Sequence, residues 1–142
     1  MSFVCKEGDS TYVPMVCKVS STVTAGSLLT YDRTNKKVIL ATASLLAEDV
    51  AGVAQNTPAS GDTLVNVIPI KGQIWEWDCT SNTAATDLCI RHILTDGLTV
   101  ANTTTDQAVD EVVVLALRNV GAAADKKQQG FILGAHIPGA VA

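Results

Sequence analysis

The sequence predicts an all-β protein, a small β-barrel or sandwich of short strands, from two observations. Short runs rich in Val, Ile and Leu recur along its 142 residues, and Gly, Pro, Asp and Asn lie between them. This is the pattern of about ten short strands separated by turns. A chain of this length is typical of one domain, and we expect at most one or two short helices in it.

The composition indicates a large buried apolar surface and argues against a nucleic-acid partner. Hydrophobic residues make up 47% of the chain, charged residues 17% and aromatic residues only 4%. The aliphatic side chains therefore fill a tight core or are buried in an oligomer. The net charge is −4, and the pairs Lys36-Lys37 and Lys126-Lys127 stand apart in polar turns, whereas phosphate binding needs clustered Lys and Arg.

The N-terminus, the short apolar runs and the cysteine spacing lead us to expect a protein made in a cytoplasm, with no membrane partner. No apolar region of a signal peptide follows Met1, and no apolar run approaches the ~20 residues of a membrane-spanning helix. No cysteine pair has the spacing of a zinc site or a redox motif, so we expect free structural thiols. The cysteines are Cys5, Cys17, Cys79 and Cys89.

Residues 1–14 are predicted to form an irregular N-terminal arm ahead of a single β domain, 15–142. Apolar residues flank the polar insert Lys6–Ser10 without a period, and such a segment has little reason to exist on an isolated domain. We therefore expect the arm to dock on a neighbouring subunit, and deletion of Ser2–Ser10 to leave the fold intact. Its candidate interface residues are Phe3, Val4, Tyr12 and Val13.

Turn residues mark the elements of the first half. Leu28–Tyr31 and Val38–Leu40 flank the polar turn Asp32–Lys36, which predicts a hairpin. Ser44 is a plausible N-cap for one helical turn. Pro58–Asp62 is the clearest turn, because proline presets one dihedral and glycine permits a positive φ.

A strand with two tryptophans follows Gly72. Ile74–Asp78 alternates with period two, which places Trp75 and Trp77 on one face. The two rings are expected either in the core or at an interface, where tryptophan is enriched. Both are kept as candidate interface residues.

The second half contains one ambiguous segment and two predicted strands. Thr83–Leu94 fits a short helix, from an Asp–Arg pair four residues apart, and fits a strand equally well, from alternating Leu and Ile. Val112–Leu117 is a continuous apolar run, as in a strand buried on both faces. Gly121–Gly130 is predicted as a loop, and Phe131–Leu133 as the last strand.

The sequence offers few candidates for catalysis. Cys89 and His92 would share a face on a helix, with Asp87 or Asp96 to orient the imidazole, but would lie on opposite faces of a strand. No signature surrounds the pair, and no phosphate-binding or EF-hand calcium-binding motif is present. We therefore expect no enzyme activity, no catalytic residues, no metal and no cofactor.

Turn-and-strand segments across Ala25–Gly134 carry a family resemblance. They are Ala25–Asp32, Lys37–Thr42, Ala51–Ala54, Ser60–Asp62, Val67, Gly72–Trp75, Leu94–Val100 and Gly130–Gly134. In this order they resemble the head decoration, or cement, proteins of tailed phages. The four cysteines depart from the family pattern.

The resemblance implies a structural virion protein without catalytic residues. Its protomer would be β-barrel-like and would form homotrimers on the capsid exterior, after synthesis in the host cytoplasm. The partners implied are the major capsid protein, whose neighbouring subunits it would clamp, and further copies of itself. Two alternatives remain: another phage β module, such as a tail or head-completion protein, and a small ligand-binding or hydrolase domain.

Overall fold

The structure, a computed structural model, describes residues 3–17, 23–42, 49–59, 62–102 and 114–133. It is all-β, which confirms the predicted class: the described residues contain eleven strands in two sheets and two 3-10 helices of three residues. The strands are β1 (Val4–Glu7), β2 (Val13–Val16), β3 (Leu28–Asp32), β4 (Lys37–Leu40), β5 (Val50–Ala54), β6 (Leu64–Pro69), β7 (Ile74–Cys79), β8 (Arg91–Asp96), β9 (Thr99–Ala101), β10 (Val114–Val120) and β11 (Lys127–Ile132). The helices are Ala85–Asp87 and Ala123–Asp125.

The six-stranded sheet has the order β1-β7-β11-β10-β8-β9. β9 also pairs with β7, so five of its strands form a closed ring of pairings. Two strands pair with the same edge of β7. Trp75 and Glu76 pair with β1, whereas Asp78 and Cys79 pair with β9. The predicted alternation of β7 is confirmed, since Trp75, Trp77 and Cys79 are buried and the residues between them are half-buried.

The five-stranded sheet has the order β2-β6-β5-β3-β4, and it consists entirely of strands that lie between β1 and β7 in the chain. A single parallel bridge between Cys17 and Val38 brings its two outer strands together. Because side chains alternate along a strand, Leu28 and Leu29 of β3 enter different cores. The core inside this sheet comprises Cys17, Val23, Leu29, Val38, Ala51, Ala54, Val65 and Val67.

The larger core joins the two sheets and contains both tryptophans. Backbone contacts also connect the sheets: Thr42 pairs with Asp96, and the Leu28 amide donates to the Gly97 carbonyl at 2.8 Å. The buried members of this core are Phe3, Leu28, Ala41, Val50, Val53, Ile68, Ile70, Trp75, Trp77, Cys79, Leu94, Val100, Val114, Ala116 and Ile132. No helix in the described parts of the chain is long and apolar enough to cross a membrane.

The prediction of an irregular N-terminal arm is wrong. Val4–Glu7 pairs with β7 in one sheet, and Val13–Val16 pairs with β6 in the other. The apolar residues have no common period because two four-residue strands belong to different sheets. Phe3 is only 1% exposed and stacks obliquely on Trp77, with ring centroids 6.3 Å apart. The boundary at residue 14 falls inside β2, and deletion of the N-terminal segment would remove part of the core.

Two elements of the second half also differ from prediction, and a third is resolved. The predicted loop Gly121–Gly130 ends early, because Lys127–Gly130 belongs to β11. Its two glutamines, Gln128 and Gln129, are buried and hydrogen-bonded. Thr83–Leu94 contains both alternatives, a 3-10 helix and the start of β8. Of the run Val112–Leu117, the described part is not buried on both faces, since Leu117 is 38% exposed. The helical turn predicted at Ser44 lies outside the described residues.

Candidate protein-binding surface

The structure does not bring Cys89 and His92 together as a catalytic pair. Cys89 is exposed, in a left-handed conformation with φ 59°, and its amide donates to the Ala116 carbonyl. His92 is 2% exposed, and its Nε2 lies 2.9 Å from the Asp87 carbonyl oxygen. Since a carbonyl only accepts, Nε2 carries the proton. No hydrogen bond between described residues links the thiol to the imidazole.

Asp87 instead organises a buried polar cluster. Its Oδ2 accepts hydrogen bonds from the Ala84 amide at 2.9 Å, from Asn102 Nδ2 at 3.0 Å and from Gln128 Nε2 at 3.3 Å. Gln128 Oε1 in turn accepts from Trp77 Nε1 at 3.4 Å and from Cys79 Sγ at 3.3 Å. The cluster therefore ties a 3-10 helix and the turn after β9 to β7 and β11.

This cluster has a structural role. Asp87, Asn102 and Gln128 are all at least nine-tenths buried, which shields them from a substrate. Within the parts of the chain that are described, no group of His, Cys, Asp and Glu side chains could hold a metal ion. The sequence gives little signal for the cluster, because its members are far apart along the chain.

The four cysteines are free thiols in the structure, as expected. Burial, followed by the charge of Asp87, raises the pKa of Cys79 to about 12. Burial is also the main cause of the raised pKa values of Cys5 and Cys17. Since the thiolate is the nucleophile, the raised pKa values make these three thiols less reactive at neutral pH than an ordinary cysteine.

The predicted interface residues divide between core and surface. Phe3, Trp75 and Trp77 are at most 1% exposed, so their assignment as surface anchors is wrong and the core alternative for the tryptophans holds. Val4 is half-buried in β1. Tyr12 and Val13 are 48% and 46% exposed, and a role for them in partner binding remains a prediction.

An apolar patch surrounds β2, and it includes two residues that the sequence did not single out. Val16 and Leu64 pair across β2 and β6 and are 52% and 51% exposed. Tyr12 and Val13 are also exposed, beside and within β2, and alternation along the strand places Val13 on the opposite face from Val16. We call these four exposed residues around β2 the β2 patch. Alternation alone could not reveal Val16 and Leu64, because the sequence does not show that β2 is an outer strand. Two further large apolar side chains, Ile90 and Leu117, are exposed on or beside the other sheet.

A groove of about 380 Å³ adjoins the β2 patch. It lies beside the Cys17–Val38 bridge and contacts both β2 and the β3–β4 hairpin. We call it the β2–β4 groove. Its lining residues are Met15, Val16, Tyr31, Asp32, Arg33, Lys36, Lys37 and Val38.

The charges of the groove are unevenly neutralised. Arg33 forms an ion pair with Asp49, at 2.9 Å. Asp32 accepts hydrogen bonds from the side chain and amide of Asn35, which lower the pKa of its carboxyl group and engage it within the turn. Neither Lys36 nor Lys37 is in ion-pair contact with a carboxylate among the described residues.

Comparisons with known proteins provide no identification. No protein-family model, curated protein or solved structure matches the chain. Function is therefore inferred from this surface and from the resemblance noted in the sequence. The β2 patch and the β2–β4 groove combine exposed apolar side chains with two lysines that are in no ion-pair contact among the described residues.

Proposed function

We propose that this protein is a structural virion protein, a capsid decoration or cement protein that binds the outer surface of the major capsid protein lattice and stabilises the head. The observation that carries the proposal is the β2 patch, where exposed apolar side chains concentrate on one sheet. Resemblance to head decoration proteins supplies the class of partner.

The physical basis is burial of the β2 patch against capsid subunits. Burying apolar surface contributes ~25 cal/mol per Å², from which the cost of association is subtracted. A protein that binds only the expanded lattice stabilises it by mass action. Several protomers joined together bind more tightly than one, because each further contact is intramolecular.

We expect the protein to be a homotrimer in solution, since the chain is rich in apolar residues and leaves the β2 patch exposed. Light scattering measures this mass directly. A stable monomer at micromolar concentration would contradict the expectation. Rings or tubes would instead favour a tail or head-completion protein.

The function is tested on heads of the encoding phage that lack this protein. Electron microscopy of heads with added protein should show extra density on the outer surface. The double variant Val16→Ser/Leu64→Ser should be retained on heads about tenfold less well, which corresponds to about 1.4 kcal/mol. The matched control is Ile90→Ser/Leu117→Ser, which removes two large exposed apolar side chains on or beside the six-stranded sheet. Absence of density with the unmodified protein would refute the proposal.

A further inference from the structure

We infer that the β2–β4 groove is the docking site for an extended segment of the partner protein, one that presents apolar side chains next to carboxylates. The inference rests on the proposed function, because the segment would belong to the protein that this chain covers. It goes further by naming the place and the chemistry of contact.

The size of the groove fits a short segment. Its volume of about 380 Å³ lies near the lower end of the ~300–1,000 Å³ that is usual for ligand pockets. A few side chains of an extended peptide fill such a space. Met15, Val16 and Val38 offer them aliphatic contacts.

The charges of the groove select for carboxylates. The whole chain has a net charge of −4, yet Arg33, Lys36 and Lys37 meet at this one groove. Asp49 already pairs with Arg33, and Asp32 is hydrogen-bonded within its own turn. Lys37 lies opposite Asp32 in the β3–β4 register, and its charge helps to lower the pKa of that carboxyl group. The three cations of the lining still outnumber its one carboxylate, Asp32, so the groove can meet an acidic partner. Such pairing adds specificity and steers association, and it weakens as salt is added.

The lining favours a peptide over nucleic acid. Tyr31 is the one aromatic side chain among the described residues that line the groove, whereas single-stranded nucleic acid is usually bound by stacking successive bases on several aromatic rings. The remaining apolar lining is aliphatic.

The test uses fluorescein-labelled peptides that tile the major capsid protein of the encoding phage, with binding to the full-length protein measured by fluorescence anisotropy. At least one segment with neighbouring apolar and acidic residues should bind. Lys36→Glu/Lys37→Glu should weaken that binding tenfold or more, and so should replacement of the carboxylates of the peptide by lysine. The matched control is Lys6→Glu/Lys126→Glu, which makes the same change of charge at exposed positions outside the groove and should leave binding unchanged.

Each of the remaining outcomes decides against part of the proposal. If no peptide binds, or if the groove variant binds like the unmodified protein, the inference is overturned. Binding of a labelled single-stranded oligonucleotide in place of peptides overturns it as well. If the groove variant is still fully retained on heads, the groove inference fails while the proposed function stands. If peptides bind but heads do not take up the protein, the proposed function fails. Circular dichroism verifies that each variant is folded.

Discussion

Gly130 of β11 lies directly against the indole of Trp77 in β7. A β-carbon at position 130 would lie 2.9 Å from Cη2 of Trp77 and would overlap the carbonyl oxygen of Leu115. Glycine inside a strand often marks such a close approach. The absence of a side chain at this position therefore allows β11 to sit between β10 and the buried ring.

Gly130→Ala should destabilise the protein by ~1–3 kcal/mol or more, because the added methyl group can be accommodated only by movement of the backbone or the indole. Urea unfolding measures the loss. Gly72→Ala is the matched control, since nothing lies within 4 Å of the added carbon and only its φ of +81° is unfavourable. An unchanged free energy of unfolding for Gly130→Ala would show that the close approach to Trp77 and Leu115 does not restrict this position.

Phe3→Ala should cost ~3–5 kcal/mol, the usual loss for truncating a buried aromatic residue. Phe3 belongs to the same core as Trp77, although it precedes the first strand. Tyr12→Ala, at a 48% exposed position, should change the free energy of unfolding by less than about 0.5 kcal/mol. A wild-type denaturation midpoint for Phe3→Ala would mean that the N-terminal segment does not contribute to the core.

Asp87→Ala should destabilise the protein by ~1–3 kcal/mol, because three donors lose an acceptor in a buried site. They are the Ala84 amide and the side-chain amides of Asn102 and Gln128, of which the last two keep other acceptors. Asp87→Asn keeps one oxygen at this position and should recover part of the loss. Thermal unfolding of both variants at neutral pH provides the comparison. If alanine and asparagine are equally tolerated, the cluster does not stabilise the fold.

Cys79 should make the protein less stable at alkaline pH. Burial raises the pKa of its thiol from 9.0 to about 12 in the folded chain. The protonated thiol favours the folded state fully below the unfolded pKa of 9.0. Between this value and about 12 the unfolded chain loses the proton first, so stability falls as the pH rises. Cys79→Ala should show a shallower loss of melting temperature over this range, and a loss identical to wild type would contradict the raised pKa.

Local patterns predict the parts of the fold that depend on neighbouring residues. The alternation of Ile74–Asp78 identified the buried face of β7, and the polar turn after Tyr31 identified the β3–β4 hairpin. The sequence did not reveal β1 or β2, because each has four residues and finds its partner only in tertiary structure. The polar start of β11 has the composition of a loop, and it forms a strand because distant side chains satisfy its buried Gln128.

The candidate site was predicted only in part. Tyr12 and Val13 were recognised as apolar residues in an unusual context, and both are exposed. The sequence indicates only turn charges at Lys36 and Lys37, because it does not show that the hairpin approaches β2. A surface between strands that are distant in the chain depends on which edges remain unpaired, and that follows from topology alone.

The five-stranded sheet is inserted in the chain between β1 and β7 of the six-stranded sheet, and this order affects folding during synthesis on the ribosome. All strands of the five-stranded sheet emerge in succession, so this unit can fold while the remainder of the chain is still being made. β1 emerges first but must wait for β7, which is translated only after the whole inserted sheet. Long-range pairings of this kind slow folding. Phe3, which packs on Trp77 of β7, is therefore exposed to chaperones at least until β7 has been translated.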